Sequence, residues 1–556
     1  MLEAIRPEIR TPQETDPMSE FADTIYRQKY AHPGENWPDT AKRVASEVMK
    51  ALGYDSESLE TKRIEKYIRE RKFLPGGRYL YASGRGLHQT QNCLLMRVED
   101  SRESWAELMH NAAMALMTGA GIGVVYSDLR ERGAVISKTG GYASGPCSLM
   151  NIINEIGRHV MQGGSRRSAI WAGLHWWHPD VFEFIDIKDW SQELRDLKAT
   201  DFNTPAPMEL TNVSVILDDD FFEAYGDGNH PQHEHAMKVY QKVVKQMVTK
   251  AEPGFSVDTG DNKYENLRNA CTEVTSEDDS DVCNLGSINL ARIEDQDEMR
   301  DVVMAGTLFL LAGTVYSHLP YDKVNQTREK NRRLGLGIMG VHEWLLQRGK
   351  RYGADDLLAE WLAIYRDGSR HAATFYANQH GLSVPVKVRA IAPTGTIGII
   401  AETTTGIEPI FCVAYKRRYL TKGLENQWVY QYVIDPTAKR LIDKHGVDPN
   451  DIEDAYTLSY DVERRVAFQA WIQQYVDHGI SSTINLPYAL EDHQERQWFG
   501  DMLMEYLPKL RGITCYPDGS RGGQPLSVAS YSSAIGQDGV VFEEEEGKCI
   551  GGICGS

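Results

Sequence analysis

Two cysteines frame the stretch of the chain in which chemistry is most expected. Cys271 lies between Asn269 and Glu273, and Cys283 follows twelve residues later. If residues 269–273 are extended, alternate side chains share one face, so an amide, a thiol and a carboxylate point the same way. Such a trio suits a reaction in which sulfur, hydrogen-bond donor and proton acceptor act together on one small substrate.

The positions of the other cysteines also indicate a role in chemistry and not in structural disulfides. A single cysteine is most often a small buried apolar side chain. Eight thiols in 556 residues are too few for a disulfide scaffold, and none shows a CxxC or zinc-finger spacing. Cys549 and Cys554 are separated by Ile-Gly-Gly-Ile, so the two thiols can close a disulfide and reopen it. The sequence therefore predicts redox cysteines and no metal site.

Composition predicts a large acidic globular protein in the cytoplasm, or in the host cytoplasm if a phage encodes it. Hydrophobic residues make up 41% and charged residues 25% of the chain, which is ordinary for a globular protein. No run approaches a membrane span, and the N-terminus lacks the layout of a signal peptide. The net charge of −19 argues against wholesale binding to a nucleic-acid backbone.

The order of predicted elements indicates an α/β protein. Apolar spacing predicts helices over 103–118, 234–250, about 300–318 and 355–379. The glycines from Gly119 to Gly123 come after a helix and before a strand, which is the reverse of a dinucleotide-binding fingerprint. These glycines instead predict a close approach to the backbone or a tight turn.

Two kinds of loop could hold an anion. An apolar strand runs into Pro393-Thr394-Gly395-Thr396, where hydroxyl groups, glycine and a helix start could cradle an anion such as phosphate. Arg130 and Arg166 lie in loops with glycine or serine, and guanidinium groups match phosphate oxygens. Each arginine loop alone is more typical of a solvated surface.

Taken in chain order, these motifs resemble the catalytic subunit of ribonucleotide reductases, from about Lys72 onward. The resemblance implies a ten-stranded α/β barrel with the Asn-x-Cys-x-Glu motif on a central finger loop. It places a helical region without an ATP-cone domain at 1–70, the barrel at 71–525 and a flexible redox tail at 526–556.

The resemblance also implies a radical mechanism. Cys271 becomes a thiyl radical and takes the 3′ hydrogen of a ribonucleotide, with Glu273 as general base and Asn269 bonded to the substrate. Cys93 and Cys283 deliver the reducing equivalents and become a disulfide. The tail pair, Cys549 and Cys554, reduces that disulfide, and thioredoxin or glutaredoxin recharges the tail.

Binding sites follow from the same resemblance. The residues expected to contact substrate are Asn92, Gly121, Gly123, Pro393, Thr394, Gly395, Thr396 and Ile397. A deoxynucleotide or ATP effector that selects the substrate base is expected at Asp100, Ser101, Arg130 and Arg166. A homodimer is expected, and neither a membrane nor a nucleic-acid partner.

The classes of ribonucleotide reductase differ in the source of the radical. Class I enzymes receive the radical from a ferritin-like, metal-containing subunit through two consecutive tyrosines, whereas here Tyr516 stands alone after Cys515. That feature and Gly406-Ile-Glu-Pro resemble the class II, adenosylcobalamin-dependent group, while Asn-Ala-Cys-Thr-Glu is closer to class I. Class II is favoured. Two alternatives come from other functional classes: a thiol-disulfide oxidoreductase, and a module that binds nucleotides without chemistry. The sequence does not decide between a ribonucleoside diphosphate and a triphosphate as substrate.

Overall fold

The computed structural model describes residues 17–86, 89–137, 140–160, 168–201, 204–420, 428–518 and 526–542. The helices in these ranges are α1 Glu20–Lys29, α2 Trp37–Met49, α3 Leu59–Arg69, α4 Gly77–Ala82, α5 Arg102–Thr118, α6 Pro146–His159, α7 Val181–Ile185, α8 Gln192–Thr200, α9 Asp219–Gly226, α10 His233–Lys250, α11 Gln296–Tyr316, α12 Asp322–Asn331, α13 Val341–Gln347, α14 Asp356–Gln379, α15 Gly395–Ala401, α16 Pro436–His445, α17 Ala455–Leu458, α18 Val462–Gln473, α19 His493–Tyr506 and α20 Tyr531–Ala534. The strands are β1 Phe73–Pro75, β2 Cys93–Arg97, β3 Gly121–Val125, β4 Ile170–His175, β5 Thr211–Asp218, β6 Gly254–Asp258, β7 Leu267–Arg268, β8 Thr275–Ser276, β9 Asp281–Asn289, β10 Leu334–Met339, β11 Ala414–Leu420, β12 Trp428–Ile434, β13 Thr483–Leu486, β14 Gly512–Pro517, β15 Leu526–Val528 and β16 Val541–Phe542.

The predicted helices form where the apolar spacing placed them, as α5, α10, α11 and α14. Local sequence explains several of their ends. Ser101 caps α5 by accepting a hydrogen bond from the Ser104 N–H at 3.1 Å, and Gly119 ends the helix with a φ of 108°. Asp295 caps α11 in the same way. Helices commonly begin with a short polar side chain at the N-cap and end with a glycine in the left-handed conformation.

The largest sheet has ten strands, in the order β1-β9-β2-β3-β4-β5-β6-β14-β13, with β10 also paired to β9. Strands β2 to β6 run parallel to one another, as do β9 with β10 and β13 with β14. The two parallel sets meet in antiparallel pairs, β2 with β9 and β6 with β14. Most of these strands are buried, as parallel strands are when helices cover the sheet.

Two isolated bridges close this sheet into a barrel. Leu336 of β10 pairs with Arg389, and Ile391 pairs with Ile480 shortly before β13. The segment around residues 389–391 therefore fills the gap between β10 and β13. The predicted α/β barrel is confirmed.

Helices cover the two halves of the barrel separately. One apolar cluster joins β9 and β10 to α11 and α14, and a second joins β2 to β6 with α5, α6 and α10. A third, smaller cluster lies in the lumen and contains Cys93, Cys283, Leu267 and Val274. The lumen is thus packed around the cysteines.

Helix α11 has the length and apolar composition of a membrane span. Most of it is buried against α14 and β9 inside the protein. Its surroundings are those of a core helix.

The boundary of the predicted tail needs a correction. Residues 526–542 form β15, α20 and β16, and these strands pair with β11 and β12 in a small antiparallel sheet. Main-chain pairing with a distant hairpin holds this segment, and such pairing leaves no signal in local composition. A flexible tail that starts at residue 526 is therefore wrong for residues 526–542.

Candidate active site

A short hairpin inside the barrel carries the central motif. Strands β7 and β8 pair with each other, and β7 packs against β2, β3 and β4. Between them the chain turns: the Thr272 N–H donates to the Asn269 carbonyl at 3.0 Å, and Thr272 has a φ of 69°. The Asn269 side chain also accepts the Val274 N–H at 3.0 Å. The predicted finger loop is therefore present.

The prediction of an extended segment over 269–273 is wrong. At this turn the Cys271 side chain is exposed, whereas Asn269 and Glu273 are buried. The left-handed backbone conformation of Thr272 interrupts the extended chain, so side chains no longer alternate between two faces. The three groups remain neighbours in the chain but do not share one face.

Cys271 lines a cavity of about 210 Å³. Its lining includes Trp171, Asn212, Ser214, Phe255, Pro393, Ser481, Ser482, Thr483, Thr514 and Tyr516. The walls come from the starts of β4, β5, β6 and β13 and from β14. Because Pro393 belongs to both this cavity and the predicted phosphate cradle, the cavity and the cradle adjoin.

Cys93 and Cys283 lie directly opposite each other on the antiparallel strands β2 and β9. Opposite residues in such a pair have Cα atoms about 4.5–5.5 Å apart, which is inside the range of a disulfide. Both thiols are reduced and buried. The Asn269 amide donates to the Cys93 sulfur at 3.2 Å, so the finger loop is tied to the cysteine pair.

Burial sets the electrostatics of the site. It raises the pKa of Glu273 to about 7, and interactions with the residue's own main chain and with the Asn269 side chain offset only part of that rise. Burial also raises the pKa of Cys93 well above its usual value, and negative charge on Glu273 adds to that shift. Burial raises the pKa of Cys283 in the same way. The lumen thus favours neutral thiols and a carboxyl group that can take up a proton near neutral pH.

The predicted phosphate cradle forms the start of α15. Thr394 has a φ of 51°, and its hydroxyl accepts the Gly406 N–H at 2.8 Å. The segment Gly395, Thr396 and Ile397 then begins the helix. The strand, turn and helix start expected here are present, and phosphate binding by this segment stays a prediction.

The remaining predicted substrate contacts lie along β2 and β3. Asn92 accepts the Gly121 N–H through its carbonyl at 2.8 Å. A Cβ atom on Gly123 would lie 1.8 Å from the carbonyl oxygen of Arg268. The close approach predicted for these glycines is therefore made at Gly123 by the finger loop itself. Substrate contact by Asn92, Gly121 and Gly123 stays a prediction.

The structure brings part of the predicted effector site together. Arg130 forms an ion pair with Asp100 at 2.7 Å, next to Ser101 at the start of α5. Arg166 lies outside the described residues, as do the two tail cysteines, Cys549 and Cys554. Effector binding therefore remains a prediction.

Sequence reasoning missed several residues around Cys271. Asn212, at the start of β5, donates to the Ala270 carbonyl at 3.2 Å and lines the cavity. The Gly479 N–H donates to the Glu273 carbonyl at 2.7 Å, and His478 accepts the Thr275 N–H at 3.1 Å. These contacts hold the finger loop from β5 and from the segment before β13, both distant in sequence. The polar run from Ser481 to Thr483 is the one local signal for them.

The arrangement joins one exposed thiol, a buried base and a pair of opposed thiols. An exposed sulfur over a cavity can exchange a hydrogen atom with a bound substrate. The cysteine pair can supply two electrons and two protons by closing a disulfide. Radical reduction of a small hydroxylated substrate uses all of these groups.

Comparison with known proteins supports this interpretation. A family model described as "Ribonucleotide reductase, barrel domain" matches residues 91–234, 229–359 and 377–510. The chain therefore belongs to the ribonucleotide reductase family.

Individual relatives span most of the chain. A vitamin B12-dependent ribonucleoside-diphosphate reductase of Mycobacterium tuberculosis is 27% identical over 97% of this chain and 82% of its own length. A protein of the same name from Thermoplasma acidophilum is 27% identical over 86% and 68%. A putative adenosylcobalamin-dependent ribonucleoside-triphosphate reductase of Mycobacterium phage D29 is 27% identical over 82% and 75%.

A solved structure shows the same fold. The class Id ribonucleotide reductase alpha subunit of Actinobacillus ureae superposes with a TM-score of 0.70 at 16% identity. The match covers 92% of this chain and 98% of that subunit.

Proposed function

We propose that this chain is a class II ribonucleotide reductase that forms 2′-deoxyribonucleotides through a thiyl radical at Cys271. The observation that carries the proposal is the joining of three sulfurs by one loop. Asn269 ties the loop of Cys271 to Cys93, and Cys93 faces Cys283 across β2 and β9. The fold alone would not require these thiols to be together.

The residues fit adenosylcobalamin as the radical source. Cys271 is exposed and lines the cavity, so its thiol is accessible to a bound cofactor, and Thr514 and Tyr516 of the same lining would help to hold that cofactor. The residue before Tyr516 is the buried Cys515, in place of the second tyrosine of class I enzymes. When bound, adenosylcobalamin supplies one-electron oxidising chemistry at the thiol. The B12-dependent names of several relatives support the same choice.

The chain's own residues then carry the reduction. The Cys271 sulfur takes the hydrogen atom from C3′ of the ribose, and Glu273 accepts the 3′-hydroxyl proton. The 2′-hydroxyl leaves as water with a proton from the cysteine pair. Cys93 and Cys283 give two electrons and become a disulfide, and their second hydrogen forms the new C–H bond at C2′. Cys271 returns its hydrogen atom to C3′, and Glu273 returns its proton to the 3′-oxygen.

Reactivation and control complete the proposal. The tail thiols Cys549 and Cys554 reduce the Cys93–Cys283 disulfide by exchange, and thioredoxin or glutaredoxin in the cytoplasm reduces the tail. A deoxynucleoside triphosphate or ATP binds near Asp100 and Arg130 in a homodimer and selects the base. The ion pair between these two side chains supports that location.

Turnover by the purified chain alone tests the radical source. With adenosylcobalamin, dithiothreitol and a ribonucleoside di- or triphosphate, we expect deoxynucleotide formation measurable by chromatography. The same mixture without the cofactor is the control. Activity that requires a metal-loaded partner subunit, and never adenosylcobalamin, would contradict the proposal.

The proposed roles of the two cysteine pairs predict how much product forms in a single turnover experiment. Without an external reductant, the variant C549S/C554S should form about one deoxynucleotide per chain, because a single dithiol is available. The wild-type chain should form about two, since its tail adds a second dithiol. Peptide mapping should then find Cys93 joined to Cys283 in the variant. Equal yields from both proteins, or a disulfide between other cysteines, would count against these roles.

A further inference from the structure

Arg268 is a fully buried cation three residues before Cys271. Its guanidinium donates to main-chain carbonyls, at 2.8 Å to Val257, 3.0 Å to Leu267 and 3.4 Å to Arg511, with a further bond to Glu265. Among the described residues, no carboxylate lies within ion-pair distance of it. The direct contacts of this charge are therefore carbonyl oxygens from several segments, and the more distant Asp258 and Glu265 carboxylates also stabilise it.

Two of these carbonyls lie where the two halves of the barrel meet. Val257 belongs to β6, and Arg511 immediately precedes β14. The Val257 N–H itself donates to the Arg511 carbonyl at 3.0 Å. The Arg268 fork thus fastens the finger loop to the antiparallel junction of the barrel.

The main-chain carbonyl of Arg268 contacts a different strand of the barrel, β3. The Arg268 carbonyl lies over Gly123 of β3, where a Cβ atom would come within 1.8 Å of the oxygen. Strands β4 and β5 separate β3 from β6 in the sheet. Residue 268 therefore spans the lumen from β3 to the junction of β6 and β14.

Stability alone does not account for an arginine here. Burying a guanidinium without a directly paired carboxylate is unfavourable. Burial lowers the pKa of Arg268 to about 10, although the negative charges of Asp258 and Glu265 oppose that shift. What arginine supplies is a rigid planar fork with five donors, which lysine cannot reproduce. That fork can hold several carbonyls at fixed separations.

We propose that Arg268 is a positioning residue that sets how far the Cys271 thiol projects into the cavity. The inference rests on the proposed function, in which hydrogen transfer depends on the separation of sulfur and ribose. The predicted phosphate cradle at α15 is not part of the finger loop. Asn269 and Gly123 are predicted substrate contacts on or beside the loop, whereas the contacts from Pro393 to Ile397 lie apart from it. Displacing the loop should therefore slow chemistry far more than it weakens substrate binding.

The variants R268K and R268Q test the proposal by two readouts. We expect kcat to fall about 100-fold, the effect of roughly a 1 Å misplacement, with KM within about twofold of wild type. The rate at which iodoacetamide alkylates Cys271, measured without cofactor by mass spectrometry, should change several-fold. R328Q is the matched control, because Arg328 of α12 also donates to a main-chain carbonyl, that of Thr314, but lies outside the finger loop. Both of its readouts should stay within about twofold of wild type.

The outcomes separate this inference from the proposed function. An R268K protein with wild-type kcat and wild-type alkylation rate overturns the positioning role. If R268Q does not fold, as judged by circular dichroism, R268K alone decides. If the wild-type chain forms no deoxynucleotide, the proposed function fails, whereas the alkylation rates still decide whether Arg268 places the thiol.

Discussion

Replacing Cys271 by serine is expected to stop deoxynucleotide formation, with a fall of at least about 10⁴-fold in turnover. A serine hydroxyl holds its hydrogen too strongly to serve as a radical carrier at this position. The exposed side chain and the turn around Thr272 need no rearrangement for this change. Substrate binding should therefore persist, and chromatography of the products with a parallel binding assay measures both effects.

The matched control is C147A, because Cys147 is a buried thiol on α6 that lies outside the cavity lining. It should retain most of the wild-type activity. Comparable turnover by C271S and wild type would remove Cys271 from the mechanism.

Replacing Glu273 by glutamine is expected to lower turnover by about 10²- to 10⁴-fold, the range for loss of a positioned general base. Glutamine keeps the size of the side chain and removes its ability to accept the 3′-hydroxyl proton. Because burial raises the pKa of Glu273 to about 7, the base is mostly protonated below that pH. Wild-type activity should therefore rise with pH through about 7 and then level off.

A pH profile of kcat/KM distinguishes this role from a structural one. The wild-type profile should show the limb near pH 7, and the glutamine variant should lack it. An E273Q protein that retains both its rate and the same limb would show that another group accepts the proton.

Much of the candidate site can be predicted from the sequence, because the proposed chemistry requires particular residue types. The motifs predict that Cys271, Glu273, Cys93 and Cys283 act together, and the barrel brings the four side chains close to one another. The register that sets Cys93 opposite Cys283 depends on pairing between strands nearly two hundred residues apart. Local patterns cannot specify such a register.

Other features depend on tertiary contacts that local patterns do not record. The turn at Thr272 is held by Asn269 and by the Gly479 N–H beneath the loop. Nothing in the local sequence distinguishes Arg268 from an ordinary residue of a strand. Its proposed role depends on hydrogen bonds to main-chain carbonyls of β6 and of the residue before β14. The pairing of 526–542 with the β11–β12 hairpin is equally invisible to composition.

The most direct measurement follows the hydrogen atom at C3′ of the ribose. A mixture of ribonucleotide carrying hydrogen and deuterium at C3′ is incubated with the purified chain, adenosylcobalamin and dithiothreitol, and the unreacted substrate is analysed by mass spectrometry. If Cys271 removes that atom, deuterium becomes enriched in the substrate that remains, and C271S gives neither product nor enrichment. Deoxynucleotide formation with an unchanged isotope ratio would contradict a thiyl radical acting at C3′.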